Sequence, residues 1–221
     1  MKKFLILLSR ELNINFKNLS VLITNLIFFS MSIFIFVMSF SNDLDSVKSY
    51  VHCVVWVVLL FNIIFSTEQF FESDFSDGSI KELLTTGYNF FEIILSKFLS
   101  ILIVVLLPII LILPFFAYTI DNNYLFYNSL IKSVIFGGPS IILITLIGQI
   151  LLSSLRKNKV LLFILLVPFF IPTLIFAIGA VELEMIQQSP DKNFYILIGI
   201  FMITFSISLI TGKLAMEELN N

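Results

Sequence analysis

The chain has 221 residues, of which 58% are hydrophobic and 13% are charged, and its mean hydropathy is +1.05. The formal net charge is -2 and the 13 basic residues are scattered, so the composition argues against nucleic acid as a partner. With one cysteine there is no intrachain disulfide and no cysteine cluster for a metal, and with one histidine there is no histidine cluster for metal catalysis, so no metal site is predicted. Few water-soluble domains have such a composition, which indicates an integral membrane protein.

Residues 1–18 are predicted to form an amphipathic helix that lies in the membrane surface. Its expected polar side consists of Lys2, Lys3, Arg10, Glu11 and Lys17. Its expected apolar side consists of Phe4, Leu5, Leu8, Leu12 and Phe16. The alternative is that the segment extends the first span inward.

Apolar stretches of about 20 residues, long enough to cross the hydrocarbon core, recur along the rest of the chain. We place six spans at about 20–40, 50–66, 91–119, 131–153, 160–181 and 194–213. Spans of this kind must satisfy their backbone hydrogen bonds internally. The sequence therefore predicts an all-α membrane fold with a single transmembrane domain over residues 1–221.

Six spans put both termini on one side of the membrane, and the basic residues indicate which side. With cytoplasmic termini, the inner segments hold ten basic residues: Lys2, Lys3, Arg10, Lys17, Lys81, Lys97, Arg156, Lys157, Lys159 and Lys213. The outer segments hold three: Lys48, Lys132 and Lys192. This bias predicts cytoplasmic termini, with Lys97 extending along its helix to reach the interface.

A polar, acidic segment at 67–90 separates the second and third spans. Its charges cannot lie in hydrocarbon, where each costs about 2.5–3.5 kcal/mol. Within it, Ser79 and Glu82 have the spacing of a capping box, and Gly87 is a suitable helix stop. The segment thus predicts a short cytoplasmic helix at about 77–86 that contacts a soluble partner.

Several spans contain residues that disturb helices. Pro108 and Pro114 are expected to kink the third span. Gly138 and Pro139 indicate that the fourth helix is either broken or tightly packed.

Pro168 and Pro172 are one turn apart in the fifth span. They are expected to bend it and to direct free carbonyls toward the bundle or a second copy. The bend is either a hinge or a static packing feature.

Sequence motifs of catalysis are missing. There is no phosphate-binding G-x-x-x-x-G-K-[ST] loop, no G-x-S-x-G elbow and no H-E-x-x-H site, so we predict a non-enzymatic protein. No span carries an obvious ionisable residue at its centre, which disfavours ion-coupled transport. The energy is then expected to come from a partner.

His52 and Cys53, near the end of the second span, leave two alternatives open. They are haem ligands, since both residue types serve as axial ligands, or His52 is an interfacial polar residue at a helix start. Trp56, one turn further on, is expected to be a packing residue or an interfacial anchor.

Three separated blocks resemble the CcmB family, the permease subunit of the haem exporter of cytochrome c maturation, within the ABC-2-type permeases. Trp56 and the run 68–79 resemble its W…E-x-x-F-x-x-D-x-x-D-G-[ST] block. The run around Gly138-Pro139-Ser140 resembles its G-x-P motif, and the segment 161–176 resembles its L-P-x-x-[IV]-P-x-[LI]-I-F signature. The outer stretch 182–193 matches no motif of the family.

The resemblance implies a bacterial or organellar inner-membrane protein that pairs with a cytoplasmic ABC ATPase subunit. It further implies a haem-handling membrane subunit, a small membrane subunit, a homodimer of this chain, and haem as the substrate. The residues expected to dock the ATPase are Glu68, Phe71, Glu72, Asp74, Asp77, Gly78, Ser79, Ile80, Glu82, Leu83 and Leu84. The alternatives are an ABC-2 permease for a lipid, polysaccharide or drug, and an assembly platform that transports nothing.

Overall fold

The computed structural model describes residues 2–17, 19–39, 44–76, 79–120, 124–155 and 159–220. The helices are α1 (Lys2–Lys17), α2 (Leu19–Ser39), α3 (Leu44–Ser76), α4 (Ser79–Thr85), α5 (Phe90–Ile101), α6 (Leu107–Ile120), α7 (Tyr124–Leu155), α8 (Lys159–Met185) and α9 (Asp191–Asn220). A π-helical segment, Leu102–Leu106, joins α5 to α6.

Six stretches of helix are long and apolar enough to cross a membrane, which confirms the predicted all-α fold with six spans. They are Leu22–Ser39, Val47–Phe70, Phe90–Phe116, Tyr124–Ile150, Leu166–Met185 and Asp191–Thr211. The second span differs most from its prediction, because α3 continues without a break to Ser76. The first half of the polar segment is therefore a helical extension of that span.

Helix α7 lies at the centre of the bundle. Its span is 67% buried, whereas the first span is 11% buried and faces outward along most of its length. α7 packs most extensively against α8 and α9 and also contacts α3 and α6. Residues that determine how closely helices approach are therefore expected on α7.

Close packing around Gly137 and Gly138 distinguishes between the alternatives for the fourth span. A Cβ at Gly137 would lie 2.7 Å from the Trp56 ring, and one at Gly138 would lie 2.8 Å from Leu106. α7 is helical through Pro139, so the glycines permit tight packing rather than a break. Trp56 is fully buried and donates a hydrogen bond to Ser133 Oγ over 3.2 Å, which identifies it as a packing residue.

The third span contains a π-helical segment next to Pro108, the first of the two prolines that were expected to kink it. The π-helical segment ends at Leu106, and Pro108 lies at the second position of α6. A wider turn accommodates a backbone in which proline cannot donate a hydrogen bond. Pro114 lies inside α6, which stays helical around it.

Helix α1 packs on α5 through a side that the sequence did not predict. Its buried residues are Leu7, Glu11 and Asn15, spaced one turn apart, while Leu5 and Phe16 are exposed. The expectation that Glu11 lies on a solvated polar side was therefore wrong.

Polar contacts explain this choice. Glu11 Oε2 lies 3.1 Å from Lys97 Nζ, and Asn15 Nδ2 donates to Ser100 Oγ over 2.7 Å. Lys97 is thus buried in an ion pair and does not extend to the interface, because a carboxylate on α1 satisfies its charge within the protein.

A second polar contact joins α2 to α3. Asn25 Nδ2 donates to Ser66 Oγ over 2.7 Å, and Asn62 Nδ2 donates to the Asn25 carbonyl over 2.7 Å. Asn62 therefore links two helices. Such bonds position spans that have no hydrophobic driving force to associate in lipid.

Candidate functional site

A cavity of about 650 Å³ opens between the beginning of α3, the end of α8 and the beginning of α9. Its lining includes Ser49, His52, Phe176, Glu182, Ile186 and Asn193. His52 precedes the end of α3 by 24 helical residues, which is roughly 36 Å along the axis. The cavity therefore lies at the end of the bundle opposite α4.

Three side chains with metal-binding atoms meet beside this cavity: His52, Cys53 and Glu182. The His52 Nε2 atom lies 3.5 Å from Cys53 Sγ and 3.6 Å from Glu182 Oε1. One ligand atom from each residue lies within 4.8 Å of the other two.

Burial differs sharply within this trio. His52 is 1% exposed and its ring makes an edge contact with Phe126, whereas the Glu182 side chain is 60% exposed. Within the part of the chain that the structure describes, the Nδ1 atom of His52 has no hydrogen-bond partner. A buried polar atom of this kind requires an explanation, such as a water or an ion. His52 is therefore buried in the bundle about two turns after the beginning of α3, and its two alternative roles stay predictions.

Sequence reasoning missed Glu182. A single histidine and a single cysteine gave no metal-ligand spacing, and the third member comes from α8, far along the chain. The one available signal was the unexplained acidic stretch after the fifth span.

The turn after α8 lies beside the cavity, where Ile186 is part of the lining. Gln187 has a φ of 59°, and the Gln188 N–H donates to the Leu183 carbonyl over 2.8 Å, which closes the helix end in the way glycine usually does. Ser189 Oγ then donates to Asp191 Oδ2 at the start of α9 over 2.8 Å. The stretch 182–193 therefore consists of the end of α8, a short turn and the beginning of α9.

The opposite end of the bundle carries the residues predicted to dock a partner. α4 is a seven-residue helix that begins at Ser79 and stops where Gly87 adopts a φ of 81°, with the Tyr88 N–H donating to the Leu83 carbonyl. The prediction of a short helix ending at Gly87 is confirmed. Hydrogen bonding between Ser79 and Glu82 stays a prediction.

The structure places the other predicted docking residues unequally. Glu82 is exposed, and Glu68 and Ser79 are half-buried. The structure describes only the backbone of five others: Phe71, Glu72 and Asp74 on the extension of α3, and Ile80 and Leu84 on α4. The last two, Asp77 and Gly78, lie outside the described residues.

Leu83 requires a correction. It was expected to present an apolar contact to the partner, yet it is 8% exposed and belongs to the core of this chain. Leu83 is the one apolar residue of α4 whose side chain the structure describes, and it packs the helix against its own bundle.

The structure also bears on the direction in which the two prolines of the fifth span were expected to face. α8 is helical through Pro168 and Pro172, and both rings are exposed together with Phe169 and Ile171. Phe170 and Thr173 form the buried side of the same stretch. The prolines therefore lie on the outside of the bundle, which contradicts the expectation that they face its interior, and contact with a second copy stays a prediction.

The fold and these sites define a polytopic all-α membrane protein with a partly buried polar cluster at one end and a short helix at the other. The family model described as CcmB protein matches residues 2–217, and the chain belongs to this family. The resemblance found in the three motif blocks is thereby confirmed.

Curated relatives agree. The chain is 32% identical over 179 residues to heme exporter protein B of Haemophilus influenzae, covering 81% of each chain. It is 28% identical over 190 residues to heme exporter protein B of Pseudomonas aeruginosa, covering 86% of this chain and 85% of the relative. It is 25% identical over 198 residues to heme exporter protein B of Escherichia coli K12, covering 90% of each.

Proposed function

We propose that this chain is the membrane permease subunit of a haem exporter that serves cytochrome c maturation. The observation that carries the proposal is the CcmB match over residues 2–217, together with six spans. The curated relatives with the same extent are heme exporter proteins. The chain is a transport subunit and not an enzyme, and its energy comes from a separate cytoplasmic ABC ATPase.

The ATPase docks at the α4 end of the bundle. Support comes from the exposed side chains there, Gln69, Glu82, Thr85 and Thr86, on helices that continue directly into the second span. Movement of a partner against α4 would pass to α3 because Leu83 anchors α4 in the core. The haem-handling subunit and the small membrane subunit complete the assembly.

Both termini and α4 face the cytoplasm in this arrangement, and the cavity beside His52 faces outward. The distribution of basic residues supports this orientation. A topology reporter fused after Asn221 tests it, because activity confined to the cytoplasm is expected. A reporter active only outside would overturn the orientation and the docking proposal with it.

Gene deletion and complementation test the function. We expect the deletion strain to lose covalently haem-stained c-type cytochromes while b-type cytochromes persist, and a plasmid carrying the intact chain to restore them. A tagged chain is expected to co-purify the ATPase and the haem-handling subunit. Normal c-type cytochromes in the deletion strain would contradict the proposal.

A further inference from the structure

We propose that His52, Cys53 and Glu182 form a binding site for a divalent transition-metal ion of the zinc type. The three residues bring one imidazole nitrogen, one thiolate and one carboxylate to the same point beside the cavity. Zinc is bound in proteins by this mixture of ligands, and the thiolate disfavours magnesium and calcium.

The spacing of the ligand atoms fits a tetrahedral ion. Two atoms bound to tetrahedral zinc at 2.0–2.3 Å stand roughly 3.3–3.8 Å apart. The His52 Nε2 atom lies 3.5 Å from the Cys53 sulfur and 3.6 Å from the Glu182 oxygen, so both pairs already have this separation. The remaining pair lies within 4.8 Å and closes by a movement of the exposed Glu182 side chain.

Binding of an ion to Nε2 is compatible with the surroundings of the histidine ring. An ion on Nε2 requires a neutral imidazole with its proton on Nδ1. Within the described residues, Nδ1 neither donates nor accepts a hydrogen bond. The protein therefore does not favour the opposite tautomer, in which the proton is on Nε2. The Cys53 thiol gives up its proton to solvent as the metal–sulfur bond forms, so metal binding releases a proton.

The ion would link the beginning of α3 to the end of α8 across the mouth of the cavity. With three protein ligands, a tetrahedral ion keeps one position for water or an external ligand. His52 and Glu182 both line the cavity, so that position is reached from it. The site is independent of the docking surface at the other end of the bundle.

Cobalt substitution of the full chain purified in detergent tests the site. Because Cys53 is the only cysteine, a thiolate-to-cobalt charge-transfer band reports this site alone. We expect one Co²⁺ per chain, displaced by Zn²⁺. Cys53→Ser should abolish the band, and Glu182→Gln should weaken binding at least about tenfold, since even supporting residues of metal sites contribute that much.

Glu184→Gln is the matched control, because Glu184 is on the same helix two residues away and is not part of the trio. Its Co²⁺ affinity should equal that of the unmodified chain. Absence of a thiolate band in the unmodified chain, or equal weakening in both glutamate variants, would overturn the proposal.

A second measurement does not depend on variants that fold well. Zn²⁺ should slow the reaction of Cys53 with a thiol reagent at least about tenfold, and a chelator should restore the rate. An unchanged rate would count against the site. Haem is the alternative ligand of the same residues. If haem titration gives a Soret shift that His52→Ala abolishes, and the unmodified chain binds no Zn²⁺, the site binds haem iron and the zinc proposal is wrong.

Discussion

Lys97 on α5 places its Nζ atom 3.1 Å from Glu11 Oε2 on α1, and both residues are almost fully buried. Arg10 Nη1 also lies 2.8 Å from Glu11 Oε1, so one carboxylate serves two cations. The pair joins residues 86 positions apart and holds the first helix to the third span. The N-terminal helix is therefore part of the bundle and not only a surface anchor.

Lys97→Met should destabilise the protein, because it removes the buried partner of Glu11, but by less than the ~3–5 kcal/mol of a wholly unpaired buried charge, since Arg10 still pairs with that carboxylate. The double variant Lys97→Met with Glu11→Gln should recover most of this loss. Unfolding in mixed micelles measures both. Lys192→Met, at an exposed lysine, is the control, and equal stability of the two lysine variants would contradict the assignment.

Gly137→Ala should cost about 1–3 kcal/mol, since the added methyl meets the buried ring of Trp56 at 2.7 Å and forces it to move. Gly199→Ala, on α9 with no atom within 4 Å of an added Cβ, should be neutral or stabilising by up to about 1 kcal/mol. Thermal unfolding of the two variants under the same detergent conditions provides the comparison. Equal melting temperatures would show that α7 does not require a glycine here.

Glu82→Lys should reduce co-purification of the ATPase several-fold without lowering the stability of the chain, because Glu82 is exposed on α4. Glu184→Lys reverses the same charge at the other end of the bundle and should leave the ATPase bound. Leu83→Asp is a poor test, since a buried residue would weaken the fold itself. Full recovery of the ATPase with Glu82→Lys would count against docking through this part of α4.

Replacing Pro168 and Pro172 together by alanine should lower cytochrome c maturation while the ATPase still co-purifies, if the prolines form a hinge. Each proline removes one backbone donor, and the Pro168 carbonyl loses the bond that residue 172 would otherwise give. Haem staining and affinity purification provide the two readouts. Phe169→Leu controls for a change on the same exposed surface, and full maturation in the double variant would eliminate the hinge.

Much of the architecture could be predicted from local patterns. A span needs about 20 apolar residues, so the number of spans is visible in the composition of consecutive segments. Gly87 stopped a helix as expected, because few other residues adopt a positive φ without strain. The family, too, was recognisable from three motif blocks, and the match over residues 2–217 confirmed it.

The sequence alone thus determined the solvent in which this chain folds, its six spans and its family, because these depend on residue types within short segments. Only the tertiary structure decided which polar groups meet. Lys97 was expected at the interface but pairs with Glu11, Leu83 was expected to face a partner but is buried, and Glu182 joins His52 from a distant helix. Such contacts depend on how helices rotate and pack against one another, and in a membrane that choice follows close packing and hydrogen bonding between helices rather than the hydrophobic pattern along any one of them.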